Sequence, residues 1–207
     1  MNTVITIGRQ YGSGGKELGQ MLAQKLGIEF YDEELVTMAA EKNNMHQDIL
    51  KAVDEKATKS LLYTLVTGSD LRFMGSPMHY EMPINDKLFI TQSEIIKGLA
   101  DKSSCVIVGR CADYVLRDSK HDCIHLFVYG DMDKRIERIS KKYDLSSDKA
   151  KEKIQKIEKT RRAYYNYYSN REWGNVKNYD LCVNTSLMGL EKTADLLCEF
   201  VKKFTQK

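Results

Sequence analysis

The feature that most constrains the fold of this chain is a glycine-rich loop that separates an apolar run from an amphipathic segment within residues 4–26. The run at 4–7, Val-Ile-Thr-Ile, is wholly β-branched, which predicts a buried strand. Apolar residues then recur at helical spacing: Leu18, Met21, Leu22 and Leu26. Gly27 follows them in the position of a C-terminal cap. The sequence therefore predicts a strand, a loop and a helix in direct succession.

The loop itself reads Gly-Arg-Gln-Tyr-Gly-Ser-Gly-Gly-Lys-Glu over residues 8–17. Glycines allow a turn whose N–H groups converge on one phosphate, and the helix that follows adds the positive end of its dipole. Lys16 supplies a point charge for the outer phosphates. The predicted phosphate-binding residues are Gly12, Ser13, Gly14, Gly15, Lys16 and Glu17. The loop predicts nucleoside phosphate binding, and a plain glycine-rich turn is the alternative.

This loop departs from the pattern G-x-x-x-x-G-K-[ST] at two positions. Gln10 stands where the first glycine is expected, and Glu17 stands where a hydroxyl that holds Mg²⁺ is usual. We predict that Mg²⁺ is held either by Ser13 or by Glu17, in the second case through water.

Apolar runs and amphipathic stretches alternate along the rest of the chain. Further strands are predicted at 28–31, 105–108, 124–128 and 181–183, and helices at 33–42, 88–101, 111–117, 131–142 and 189–203. This alternation predicts an α/β fold, with a five-stranded parallel sheet, helices on both faces and ligands beyond the carboxyl ends of the strands. Residues 44–86 and 144–178 interrupt the alternation, the second with a long charged helix.

Charge and composition exclude several classes of protein. Lysine and arginine exceed aspartate and glutamate by only 32 − 29 = 3, too little to indicate a nucleic-acid partner. No apolar run approaches the ~20 residues of a membrane span, and the first residues do not resemble a secretion signal. The five cysteines are dispersed, which indicates reduced thiols. We therefore expect a cytoplasmic protein without a membrane or nucleic-acid partner; the oligomeric state is not predicted.

Several arginines are candidates for holding phosphates. Arg110 directly follows the third predicted strand, at the edge where ligands bind, although it is alternatively a surface residue that caps the strand. Arg135 and Arg138 are three residues apart on one helix face. They either flank a nucleobase or phosphate or pair with Asp131 and Glu137.

The long charged helix contributes a further arginine. Ile154, Ile157, Arg161, Tyr164 and Tyr168 follow a 3-4-3-4 spacing, which turns the arginine toward the body of the protein. It should then have an anionic partner, either a phosphate or a buried carboxylate. Arg162 points about 100° away, and Arg171 lies beyond the helix; both are secondary candidates.

The acceptor side of the predicted site is less well defined. Asp32 ends the second strand, where it either binds an acceptor hydroxyl or a magnesium-bound water, or simply caps the next helix. Gln92 and Asp113 are second-rank candidates for the same pocket.

Four segments in this order resemble the cytidylate kinase-like family of bacterial P-loop proteins: residues 9–16, Tyr31-Asp32, 106–110 and 179–185. The resemblance implies a nucleoside monophosphate kinase fold, a P-loop NTPase three-layer sandwich, with its core at 1–43, 87–143 and 179–207. It also implies an acceptor-binding insertion at 44–86 and a lid at 144–178. Two differences stand out: Cys111 replaces the aspartate of the family's G-R-D, and Glu17 follows the loop lysine.

The resemblance implies an ATP- and Mg²⁺-dependent kinase whose acceptor is a nucleoside monophosphate such as CMP. Lys16 would hold the donor phosphates, Arg110 would orient the acceptor phosphate, and Arg161, with Arg162 or Arg171, would close over the transferring group. One alternative is a kinase of a hydroxyl metabolite, for which Asp32 would be a base or would orient the acceptor. The other is a regulator that binds nucleotide without catalysis.

Overall fold

The computed structural model of this protein describes residues 2–32, 35, 38 and 84–205. The predicted helix at 33–42 and most of the predicted insertion at 44–86 lie outside these residues. The chain divides into two compact units, one formed by Met1–Asp32 with Ile96–Lys207 and the other by Glu33–Ile95.

The described part contains five strands and six helices. The strands are β1 (Thr3–Arg9), β2 (Glu29–Tyr31), β3 (Cys105–Val108), β4 (Asp122–Tyr129) and β5 (Leu181–Asn184). The helices are α1 (Gly15–Leu26), α2 (Ile84–Lys102), α3 (Ala112–Val115), α4 (Met132–Tyr143), α5 (Ser147–Ser169) and α6 (Gly189–Thr205). A 3₁₀ turn, Val176–Asn178, precedes β5. Each predicted strand is present, and β1 and β4 are longer than their apolar runs indicate.

All five strands are parallel, in the order β2-β3-β1-β4-β5. The central strand β1 pairs with β3 on one side, Ile5 opposite Val106, and with β4 on the other, Ile5 opposite Ile124. The predicted five-stranded parallel sheet is confirmed. Because the strands run in the same direction, Arg9 and the residues that follow β2, β3, β4 and β5 meet along one edge.

One face of the sheet forms the main core. Ile5, Ile7, Val106, Val108, Ile124, Leu126 and Val128 point to this face and are fully buried. They pack against Leu18 and Leu22 of α1 and against Leu197 and Val201 of α6. Burial of each such side chain stabilises the fold by about 1.5–3 kcal/mol. This packing fixes α1, and with it the loop that precedes α1, against the sheet.

The opposite face of β1 and β4 carries a polar pair and an aromatic group. The Thr6 hydroxyl lies 2.8 Å from Nδ1 of His125, and burial lowers the pKa of that histidine. Beside it, Phe127 packs edge-on against Trp173, with ring centroids 5.5 Å apart, and against Tyr179 at 4.9 Å. The segment that follows α5 is thereby held against the sheet.

Two expectations drawn from composition concern the described residues. All five cysteines are described, and each is a free thiol. Within the described ranges, no helix combines the length and apolar character needed to cross a membrane.

Candidate active site at the carboxyl ends of the strands

The loop between β1 and α1 is anchored by Gln10, which stands in the first glycine position of the pattern. Its N–H donates to the carbonyl of Val128 at 2.9 Å, and its side-chain oxygen accepts from the N–H of Gly130 at 3.2 Å. The Ser13 hydroxyl donates to the Gln10 carbonyl at 2.9 Å, and Thr185 donates to the Ser13 carbonyl at 2.7 Å. The loop is therefore tied to β4 and to the residue after β5.

Glycine is required in this loop by both conformation and space. Gly12 and Gly14 have φ of 83° and 78°, in the left-handed region. A Cβ on Gly14 would lie 2.5 Å from a guanidinium nitrogen of Arg138, and one on Gly15 would lie 2.6 Å from the Cβ of Arg9. Gly14 is the N-cap of α1, and because glycine has no side chain it offers the first N–H groups of the helix no side-chain acceptor. The loop thus suits an anion.

Three of the described residues, Arg9, Lys16 and Asp32, form an ion cluster beside the loop. Asp32 is 6% exposed, and its two carboxylate oxygens contact two different cations. Arg9 Nη2 lies 3.3 Å from Oδ1, and Lys16 Nζ lies 3.1 Å from Oδ2. Lys16 and Asp32 were predicted for the donor and acceptor sides of the site, and the structure places them in direct contact. The capping alternative for Asp32 concerns residues outside the described part of the chain.

The long helix α5 crosses the loop and contacts it through Arg161 and Glu158. Arg161 Nη1 donates to the Arg9 carbonyl at 2.9 Å, and its guanidinium lies 5.4 Å from the centre of the Tyr11 ring. Burial and the nearby charge of Arg9 lower the pKa of Arg161 to about 9, so it remains cationic at neutral pH. The expected inward orientation is observed, although the hydrogen bond goes to a backbone carbonyl, while Asp32 and Glu158 act on the charge from farther away.

Glu158 links the helix, the loop and α4. Its carboxylate accepts from the N–H of Tyr11 at 3.2 Å and forms an ion pair with Arg135, which is 5% exposed. Arg135 also donates to the Tyr11 carbonyl at 3.2 Å. Arg135 lines a cavity beside the loop, where a ligand could be flanked. It also forms an ion pair, but with Glu158 and not with the predicted Asp131 or Glu137.

That cavity has a volume of about 310 Å³ and lies between the loop, α4 and the turn after β5. Its lining includes Gly12, Arg135, Arg138, Thr185 and Ser186. Arg138 lies against Gly14, as the close approach of its guanidinium to that glycine shows. The cavity is continuous with the phosphate loop and carries positive charge, so it suits the remainder of a phosphate-bearing molecule.

Left-handed backbone follows β3. Gly109, Arg110 and Cys111 have φ of 79°, 55° and 54° in succession, which is unusual for the two residues that have side chains. The turn closes through a 3.0 Å hydrogen bond from the Ala112 N–H to the Gly109 carbonyl. Such strained backbone is common at functional sites. Burial raises the pKa of the Cys111 thiol, which agrees with a packed cysteine.

Asp113, a predicted acceptor-binding residue, is buried and hydrogen-bonded within the protein. It is 5% exposed and accepts a 2.6 Å hydrogen bond from the Tyr165 hydroxyl of α5. Burial raises the pKa of this carboxyl, while the Tyr165 hydrogen bond opposes the shift. The predicted helical stripe misses Tyr165, because the buried face of α5 shifts toward Tyr165 and Ser169 near its end.

The remaining predicted residues make other contacts or belong to the second unit. The Arg162 guanidinium is 6.0 Å from the Trp173 ring centre, and that of Arg171 is 5.3 Å from the Tyr114 ring centre. Gln92 lies on α2, is 4% exposed and belongs to the unit Glu33–Ile95.

In the described part of the chain, few side chains near the loop offer oxygen donors for Mg²⁺. The Ser13 hydroxyl is engaged with the Gln10 carbonyl, and Glu17, whose side chain is 40% exposed, lies 3.6 Å from Lys142. Among the described residues, no group of three or more His, Cys, Asp or Glu side chains is arranged to hold a metal. Mg²⁺ commonly keeps several waters and binds one or two carboxylates together with substrate phosphates. Either carboxylate, Asp32 or Glu17, suits such an ion on its own, and the prediction that Ser13 or Glu17 holds Mg²⁺ stays a prediction.

Arg9 and Glu158 are site residues that the sequence predictions omit. Arg9 ends β1 at the same sheet edge that identified Arg110, so the same argument applies to it. Glu158 precedes Arg161 by three residues, a spacing that places both on one helix face.

Comparison with known proteins agrees with this geometry. A model of the cytidylate kinase-like family matches residues 4–187. A curated relative, a cytidylate kinase from Methanobrevibacter smithii, is 24% identical over 199 residues, which are 96% of this chain and 98% of the relative. An uncharacterized protein from Eubacterium ventriosum has a similar crystal structure, with a TM-score of 0.69, 25% identity and coverage of 97% and 99% of the two chains. A shikimate kinase from Bacteroides thetaiotaomicron has the same fold, with a TM-score of 0.54, 13% identity and coverage of 97% and 98%.

Proposed function

Because the chain belongs to the cytidylate kinase-like family, we propose that it transfers a phosphoryl group from ATP to a nucleoside monophosphate such as CMP. The family and the fold support phosphotransfer to a small substrate. The choice of a phosphate-bearing acceptor rests on one observation: three cationic side chains, Arg9, Lys16 and Arg161, lie at the loop, and among the described contacts the first two share the carboxylate of Asp32.

Phosphoryl transfer requires mainly positioning and positive charge, because the transferring group passes through a loose, highly anionic transition state. The N–H groups of the loop and Lys16 would hold the donor phosphates, with Arg138 and the cavity beside it on the nucleoside side. Arg110 would orient the acceptor phosphate from the strained turn after β3. Mg²⁺, when bound through Asp32 or Glu17, would neutralise charge on the donor phosphates.

Arg161 would contribute charge above the loop, and α5 would exclude water from the reacting group. In this proposal, residues 144–178 form a lid and residues 44–86 form an acceptor-binding insertion. An acceptor phosphate is already ionised at neutral pH, so the reaction needs no general base. The contacts of Asp32 with two cations favour a charge-balancing role for this carboxylate over the role of a base. We place the reaction in the cytoplasm, in line with five reduced cysteines.

A screen of phosphate acceptors with ATP and Mg²⁺ tests the proposal. We expect nucleoside diphosphate to form from at least one nucleoside monophosphate, at a rate that depends on Mg²⁺. Turnover confined to a hydroxyl metabolite would replace the acceptor class. Binding of ATP without turnover of any acceptor would instead identify a nucleotide-binding regulator.

A further inference from the structure

Arg9 occupies a position between the donor and acceptor sides of the proposed site. It is the last residue of β1, directly before the phosphate loop, yet its side chain does not extend toward the cavity beside α4. The guanidinium instead reaches Asp32, which follows β2, on the side of the sheet that carries β3 and β2. Its charge is thus directed away from the donor side.

The turn after β3 is shaped around this guanidinium. A Cβ on Gly109 would lie 1.9 Å from Arg9 Nη1, so any other residue at this position would displace the guanidinium from where it lies. Arg110, the residue proposed to orient the acceptor phosphate, follows Gly109 directly. The guanidinium of Arg9 therefore lies beside the backbone that carries Arg110.

Two further neighbours, Gly15 and Arg161, hold Arg9 in place. A Cβ on Gly15 would meet the Arg9 Cβ at 2.6 Å, and the Arg9 carbonyl accepts the hydrogen bond from Arg161. The Arg9 side chain is 21% exposed, so it retains access to a ligand while its orientation is fixed. A preorganised guanidinium suits the planar, two-point recognition of a phosphate.

From these contacts we infer that Arg9 binds the phosphate of the acceptor and makes the site select phosphate-bearing acceptors over neutral hydroxyl compounds. Asp32 holds Arg9 and Lys16 on either side of one carboxylate, so the two cations address two different phosphates from a shared anchor. Lys16 serves the donor, and Arg9 serves the acceptor. The inference rests on the proposed function and assigns to this residue the choice of acceptor class.

Equilibrium binding to the full chain tests this role. Calorimetry would first identify which of CMP, UMP, AMP and GMP binds best in the presence of a non-hydrolysable ATP analogue, and would compare it with its own nucleoside. Arg9→Met keeps the apolar length of the side chain and removes the charge. We expect it to weaken monophosphate binding roughly 10- to 100-fold, as the loss of a charge-assisted hydrogen bond does. Nucleoside and ATP-analogue binding should change little.

Two further variants are compared with Arg9→Met: the conservative change Arg9→Lys and the control Arg117→Met. Lysine keeps the charge but not the two-point geometry, so its effect should be intermediate. Arg117 lines a different cavity, at the amino ends of β4 and β5, and its replacement should leave all three affinities unchanged. Tryptophan fluorescence would verify that each variant is folded, and Arg9→Lys replaces Arg9→Met if the latter is not.

The outcomes separate this inference from the proposed function. If wild type prefers the monophosphate and Arg9→Met keeps that preference, the role of Arg9 is refuted while the proposed function stands. An equal loss of ATP-analogue binding would reduce Arg9 to a structural support of the loop. If wild type shows no preference for any monophosphate over its nucleoside, the proposed acceptor class and the role of Arg9 both fail.

Discussion

Replacing Glu158 by alanine should destabilise the unit that carries the sheet. The carboxylate is 15% exposed and is paired with Arg135, which is 5% exposed, and it also accepts from the Tyr11 N–H at 3.2 Å. Removing one partner of a buried ion pair costs about 3–5 kcal/mol, because the other charge is left without compensation. Water can reach part of the Glu158 site, so we expect the lower end, a loss of about 3 kcal/mol in the free energy of unfolding.

A double-mutant cycle with Arg135→Met isolates the pair. In Glu158→Ala/Arg135→Met both charges are absent, so the double variant should be more stable than the sum of the single changes predicts, by about 2 kcal/mol. Trp173 is the single tryptophan and is 8% exposed in the same unit, so its fluorescence in urea reports unfolding of this unit. Glu137→Ala is the matched control, because its pair with Lys134 is 66–70% exposed and should contribute less than about 1 kcal/mol. Strictly additive changes would refute the buried-pair account.

Two further predictions concern Asp113 and Gly109. Burial raises the folded-state pKa of Asp113 above its unfolded value of 3.8, so wild type loses stability as pH rises from that value through the raised pKa. The free energy of unfolding of Asp113→Asn, relative to that of wild type, should therefore increase over this pH interval. Urea unfolding that gives the same difference between variant and wild type at pH 4 and at pH 7 would contradict this prediction. Gly109→Ala combines a φ of 79° with a contact at 1.9 Å to Arg9, so it should cost at least about 1 kcal/mol and lower acceptor turnover without weakening ATP binding. Gly98→Ala, where a Cβ meets no atom of the described chain within 4 Å, should be neutral or stabilising in the same unfolding assay.

The strands of the sheet could be predicted from the sequence because their apolar runs are short, β-branched and well separated. The run at 105–108 matches β3 in both bounds, since all four residues are buried. β4 extends beyond its predicted run to include Asp122, Cys123 and Tyr129, because its parallel pairing with β1 continues over the whole length of that strand. Tertiary pairing, which a single segment does not reveal, sets these ends.

The contacts within the site were harder to predict than its location. Lys16, Asp32 and Arg110 were predicted to share one region because each follows a strand at the same edge of the sheet. The sharing of Asp32 between Arg9 and Lys16 depends on the directions of the side chains in the folded state, which this reasoning does not give. The burial of Asp113 against Tyr165 depends on how the end of α5 lies against the sheet. Sequence spacing fixes which residues share a helix face, and it does not fix which partner that face meets.

The phosphate loop is the central element of this account, and ATP binding to Lys16→Ala tests it most directly. Calorimetric titration with MgATP should show binding to wild type and at least a tenfold weaker binding to the variant, equivalent to about 1.4 kcal/mol or more. Lys177→Ala, at the opposite edge of the sheet, should bind as wild type does. Equal binding of MgATP to wild type and Lys16→Ala would contradict nucleotide binding at this loop, and with it the proposed kinase activity.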